Sequence, residues 1–208
     1  MAEATYPLSV PTSPSNFVTS NWTIVRTVGY TQSPYTYSQQ VAKYTGAVWQ
    51  TTVTLPPMSR ADAGAWQSFY MQLNGRFGTF LLGDPDGKTI QGSASTVISV
   101  NGDHSVGAFD VIVDGCTASS TEFKKGDYVQ FGSGASSKLH MIVADITSDS
   151  SGNATLQIEP PLKTALTDDD AVTYSNTKAV MRMDSNELGW DANRTSLYGL
   201  SFSCTEAL

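Results

Sequence analysis

General acid–base chemistry would be sought first at histidine, and the chain has only two, His104 and His140, which fall on different expected elements. His140 with Asp145 and a serine could compose a hydrolytic triad. Serine is so abundant here that finding a third member carries no information. Gly132-Ser133-Gly134-Ala135-Ser136 has the wrong glycine spacing for a nucleophile elbow and reads as a flexible turn. Asp84 and Asp86 before Gly87 match part of a calcium loop. The third acidic ligand and the distal glutamate are missing, so a plain turn is expected. Cys116 and Cys204 lack metal-type spacing and read as buried free thiols. Phosphate-cradling loops and metal-binding His pairs are absent from the sequence. A carboxylate pair for glycoside hydrolysis would be set by spacing in three dimensions, and nothing in the sequence favours one. The expectation is a protein that is not an enzyme, with no catalytic, cofactor-binding or metal-binding residues.

The elements that would have to position any site are mostly strands. Residues 21–27 alternate around Trp22, Ile24 and Arg26. Residues 47–55 alternate through Ala47, Trp49, Thr51, Val53 and Leu55, with Val48 off the pattern. Between them, residues 30–44 are rich in Tyr, Gln, Ser and Thr, and periodicity leaves open a loop or an outward strand. Pro56-Pro57 ends this run. A helix follows, with Ser59 as N-cap, Asp62 completing a capping box, and Ala65, Trp66, Phe69 and Leu73 on one face. Asn74-Gly75 supplies its left-handed stop.

Residues 77–82 read as a short apolar strand closed by the turn at 84–87. From Gly92 short strands alternate with Gly-, Ser- and Asp-rich turns, at 97–100, 109–113, 128–131, 139–146, 154–158 and 172–174. Residues 149–153 form a hairpin connection, and Asp168-Asp169-Asp170 a solvated turn. Six short strands without a helix predict a small closed barrel of the OB or SH3-like type. A strand at 179–183, a polar turn region and an alternating strand at 198–205 complete the chain. The last strand is simplest if it joins the N-terminal sheet, with the barrel inserted as a separable appendage.

Hydrophobic residues make up 40% of the 208 positions and charged residues 15%, which excludes disorder and fits a β-rich fold. The longest apolar runs fall far short of the roughly 20 residues of a membrane span. Residues 1–10 show no signal-peptide pattern, so cytoplasmic assembly is expected, and the Asn-x-Thr triplets at Asn21, Asn153 and Asn193 read as chance products of a Thr-rich chain. With 12 basic and 19 acidic residues the net charge is −7, and Lys124-Lys125 is the only adjacent basic pair. No basic footprint for gripping nucleic acid is present. The acidity reads either as ordinary solubility or as a surface that repels nucleic acid.

The closing stretch from Tyr198 to Leu208, an alternating strand followed by a Glu-containing tail, resembles the terminal strand of distal tail proteins of long-tailed, siphovirus-type bacteriophages. The barrel segment also resembles the inserted OB-fold-like module of one variety of that family. The resemblance lies in Lys125-Gly126-Asp127 before a strand, the turn at 148–153 and Glu159-Pro160-Pro161-Leu162. Residues 58–80 resemble the helix-to-strand passage of its ring domain, whereas the Tyr/Gln/Ser-rich stretch at 30–44 departs from the family pattern. The resemblance implies a mainly β fold: a β-sandwich-like ring domain with one α-helix, built from residues 1–92 and 178–208, interrupted by the barrel at 93–177. It implies a virion structural protein, a homo-hexameric ring joining the tail tube protein to the tail-tip or baseplate hub protein, with the barrels outward. DNA would pass through a channel lined by acidic or neutral residues without specific binding, and side fibres are further expected partners. No cofactor and no membrane insertion are implied. The alternative reading is a carbohydrate-binding module contacting host-surface glycans through the barrel; Tyr128, Phe131 and Tyr174 are the candidate stacking aromatics, although barrel strands need aromatics inside as well and core is the expected role.

Overall fold

The computed structural model describes residues 4–13, 17–193 and 197–208. Residues 1–3 of the N-terminal segment and 194–196 of the expected polar turn region lie outside the described residues. The fold is mainly β with one α-helix. The strands are β1 (Leu8–Ser9), β2 (Thr19–Gln32), β3 (Gln39–Thr54), β4 (Phe80–Leu82), β5 (Ser99–Val100), β6 (Asp110–Asp114), β7 (Thr121–Phe123), β8 (Tyr128–Phe131) and β9 (Lys138–Ile142). They continue as β10 (Ile146–Thr147), β11 (Ala154–Glu159), β12 (Val172–Thr173), β13 (Ala179–Met183), β14 (Asp191–Ala192), β15 (Tyr198–Gly199) and β16 (Ser201–Glu206), and the helix is α1 (Arg60–Leu73).

The two ends of the chain build one six-stranded sheet in the order β1-β4-β13-β16-β3-β2. The closing strand β16 lies between β13 and β3, antiparallel to both, so it does join the N-terminal strands. Alternation explains its register: Phe202 opposes Val53 and Cys204 opposes Thr51, which puts all four on the buried face. The sandwich-like packing expected of the chain's two ends takes the form of this sheet faced by α1 and by one wall of the barrel. Ser59 caps α1 by accepting from the Asp62 N–H, and Asn74 ends it at φ 51°, both where the sequence signals lie. Trp66 sets the packing of the helix on the sheet. Its ring meets Phe69 edge-on and tilts against Phe202, while Nε1–H donates to the Ser13 carbonyl at 2.9 Å.

Residues between β4 and β13 form a second six-stranded sheet, β12-β8-β9-β11-β6-β5, curled into a nearly closed barrel. Its ends meet through the bridge Ser99–Ala171 and the Val172 N–H donating to the Ile98 carbonyl. The predicted strand at 139–146 is broken, because residues 143–145 turn a corner and only β10 resumes, pairing with β7. The β7 strand was not legible in the sequence; its three residues are too short for periodicity to register. The chain leaves and re-enters the first sheet at one neck. There a Cβ on Gly83 would stand 1.9 Å from the Thr177 carbonyl oxygen, so only glycine allows the two connecting segments to pack backbone against backbone.

Residues 30–44, open between loop and strand from the sequence, are strand on both sides of a turn. The β2–β3 hairpin runs on past the sheet as a two-stranded arm with register Val28–Lys43 to Gln32–Gln39.

Trp66→Ala should destabilise the protein by roughly 3–5 kcal/mol, read as a lowered denaturant midpoint with unchanged slope, because the site is walled by rigid aromatics that cannot collapse into the void.

Candidate functional site

The residues that could do chemistry are pinned in structural roles. His140 is buried on β9 with Nδ1 2.7 Å from the Pro160 carbonyl, and Asp145 accepts from the Lys125 N–H at 3.0 Å. The two side chains do not bond each other, and His140 Nε2 is buried without a partner. His104 accepts the Ile112 N–H through Nε2 at 3.2 Å, as a strut between a loop and β6. Asp84 accepts from the Asp86 N–H and from the Tyr128 hydroxyl, so the expected turn also anchors a barrel strand. Ser133 and Ser136 cap each other in a single turn of 3₁₀ helix. In the acidic turn, Asp168 accepts from Gly102 N–H and Asp170 from Thr167 N–H. Among the described residues no group of three or more His, Cys, Asp and Glu side chains is placed to hold a metal ion. Likewise, no helix among them is long and apolar enough to cross a membrane.

Both cysteines are free and buried. Burial, with the nearby carboxylates of Glu122, Asp114 and Asp149, pushes the Cys116 thiol up to about 11, and burial raises Cys204 further. Neither provides a thiolate near neutral pH.

Of the three candidate stacking aromatics, two take the core role that barrel strands also require. Tyr128 is 7% exposed and Phe131 1% exposed, so neither offers a face to a sugar. Tyr128 packs edge-on against Trp49 with centroids 6.0 Å apart, and Phe131 lies in the barrel core against His140. Four consecutive residues of β8 are buried, because this strand has the barrel interior on one side and the first sheet on the other. Tyr174 is half-buried, edge-on to Phe123, with its hydroxyl donating to the Thr96 carbonyl at 2.6 Å. The barrel surface does carry a groove of about 490 Å³ lined by Ile112, Asp145, Asp149, Asn153 and Gln157 among others, with no aromatic ring in its wall.

Two other features stand out. The first is the seam between barrel and sheet. The Trp49 indole N–H donates to the Leu139 carbonyl at 2.9 Å, and Tyr128 and Leu139 share a core with α1 and the first sheet. Beside them Glu206, at the end of β16, is buried. It accepts the Trp49 N–H at 3.1 Å and forms an ion pair with Lys163 from the β11–β12 connection. Lys138 on β9 donates to the Ala207 carbonyl at 3.0 Å. The barrel is thus not the separable appendage expected from the sequence: buried charge and shared apolar surface cross the seam. Burial holds the Lys163 ammonium below its ordinary range, with Glu206 pulling it back up. Burial lowers His140 to about 4, while its bond to Pro160 opposes the shift and Lys163 and Lys138 add to it.

The second feature is the arm. Between Arg26–Ala47 and Val28–Lys43 the pairing skips, with one residue on β2 facing three on β3, a bulge that re-aims the ribbon. The barrel braces this point. Arg26 pairs with Glu159 at 2.8 Å, and the Lys43 ammonium sits 4.3 Å above the Phe109 ring. Beyond it Val28, Tyr30 and Val41 line one exposed face, and Tyr35 and Tyr37 crown the tip. Exposed aromatics at these positions are what single-sequence periodicity cannot signal, since neither face is buried.

No protein-family model matches the chain, and no curated protein matches it.

Lys163→Met should cost roughly 3–5 kcal/mol in chemical denaturation by leaving Glu206 buried and unpaired. Lys163→Met/Glu206→Gln should recover most of that loss, since the glutamine oxygen still accepts from Trp49 without a charge. For His140, a folded value below the ordinary 6.5 means that the unfolded chain binds the extra proton first. Its contribution is therefore complete above about pH 7 and falls by about 3 kcal/mol as pH drops toward 4. His140→Gln should flatten the stability profile between pH 6.5 and 5, where few carboxylates titrate.

Proposed function

We propose that the chain is a virion structural subunit that forms a homo-oligomeric ring, a hexamer by family resemblance, at the distal end of a long-tailed phage's tail tube. The observation that carries this reading is the arm. An edge strand of 14 residues, an exposed Val/Tyr face and an aromatic tip are what a monomer would have to guard against and what a self-assembling subunit uses. The sheet and α1 form the body of the ring, and the barrel sits outside it. The ring joins the tube to the tail-tip hub, and the virion's tail is its place of action.

The sheet face turned away from α1 lines the channel in this arrangement. Its residues include Asn21, Thr23, Gln50, Thr52, Ser203 and Thr205, neutral hydroxyls and amides that give passing phosphates little to bind. Among the described strand residues Arg182 is a cation on this face, and its guanidinium donates to the Arg76 and Phe77 carbonyls. Carbohydrate binding by the barrel, the alternative, rests on the polar groove at Asp145, Asp149 and Asn153 alone, since the rings of Tyr128 and Phe131 are buried.

Light scattering across a concentration series should give a closed oligomer of about six copies, and negative-stain images should show a ring with an open centre. A chain that stays monomeric at the highest attainable concentration, or a ring that retains duplex DNA at low salt, counts against this function.

A further inference from the structure

The order of the first sheet puts β2 at one edge and β1 with β4 at the other, five inter-strand steps or roughly 24 Å apart. At the β1–β4 edge lies a cleft of about 380 Å³. Its walls include Val10, Pro11, Phe17, Leu81 and Pro85, and Asp84, Lys88 and Lys178 stand among its polar lining. At the β2 edge the arm ends in a turn that holds two tyrosines in solvent, Tyr35 at 93% and Tyr37 at 73% exposure.

This tip is ordered rather than loose. Ser33 N–H donates to the Ser38 carbonyl at 2.9 Å, Tyr37 N–H donates to the Ser33 carbonyl at 3.0 Å, and the Thr36 and Ser38 hydroxyls meet at 2.9 Å. Tyr37 sits at φ 55°, a left-handed conformation that a tyrosine adopts at a cost and that the surrounding turn enforces. Tyrosines displayed on a hydrogen-bonded turn dock with little backbone reordering, and tyrosine's large amphipathic ring serves as an anchor at protein interfaces.

We propose that Tyr35 and Tyr37 of one copy seat in the Val10–Pro11–Leu81–Pro85 cleft of the next copy. A knob at the end of the β2–β3 arm and a hole at the β1–β4 edge form a heterologous pair, which can repeat around a ring. The chemistry matches. The tip from Gly29 to Ala42 carries no charge, so it brings no ion of its own into the cleft and meets no like charge at Asp84, Lys88 or Lys178. The phenol rings meet the proline, valine and leucine walls, and the hydroxyls reach the polar groups of Asp84, Lys88 and Lys178. Two tyrosines bury roughly 300–500 Å². The Val28, Tyr30 and Val41 face adds to this, toward the roughly 800 Å² per partner of a stable interface. The inference rests on the ring reading and names the contact that closes it.

The test is a disulfide trap in the full chain carrying Tyr35→Cys and Lys88→Cys, both at exposed positions and with the native thiols buried. Mild oxidation should give a ladder of covalent oligomers up to the size of the ring, and either single variant should stop at a dimer. Independently, Tyr35→Ala/Tyr37→Ala should raise the concentration needed for assembly by about tenfold or more while leaving the thermal transition of the monomer in place. An oligomer that forms without the ladder, or that forms equally well without both tyrosines, overturns this contact and leaves the ring reading standing. A wild-type chain that never oligomerises overturns both.

Discussion

The structure depends on the seam where Trp49 meets the barrel. Its indole ring, pressed between Trp22 and Tyr128, carries apolar surface from the first sheet into the barrel wall, and its indole N–H closes on the Leu139 carbonyl. Its own backbone N–H donates to Glu206, and Glu206 holds Lys163. One strand of β3 therefore ties together the N-terminal sheet, the inserted barrel and the closing strand. Without this seam the barrel would hang from the neck at Gly83 and Thr177.

Burying charge at such a place is costly unless every group finds a partner. Lys163, Lys138 and one oxygen of Glu206 do find partners, and the neutral imidazole of His140 donates to Pro160 through Nδ1, while Glu206 Oε1 and His140 Nε2 stay buried without one. The result is specificity of placement: a slipped barrel would strand an ammonium or a carboxylate in a dry contact. The same rigidity reaches the arm, because Arg26–Glu159 and Lys43–Phe109 brace the bulge from the barrel side. A barrel fixed on the sheet thus fixes the direction in which the hairpin leaves it.

This coupling gives the ring reading its mechanical sense. In the ring proposed above, an arm held in one direction by the barrel is what would let one subunit meet the next. The sheet face opposite α1 is rich in hydroxyls and amides, with Arg182 and Asp184 both held in hydrogen bonds there.

Much of this was legible in residue order. The Ser59 cap, the Trp66/Phe69 stripe and the Asn74 stop are local signals, set by hydrogen-bonding needs within one turn of helix, and α1 lies where they put it. The alternation from Ala47 to Leu55 and from Leu200 to Cys204 reported strands with one buried face, since a two-residue period reflects the pleat directly. Tertiary structure alone decided three things. β8 came to be covered on both sides, which buries Tyr128 as well as Phe131, and a covered strand has no alternating pattern to betray it. The segment at 30–44 became an arm exposed on both faces, where hydrophobic burial writes no pattern either. The lysines at 138 and 163, to which no local pattern gives a role, became seam residues because Glu206 and Ala207 arrive from the far end of the chain. Sequence by itself determined which segments form strands and helix, through local periodicity and caps. Which strand is covered twice, and which charges meet, depended on long-range contact that no local pattern encodes.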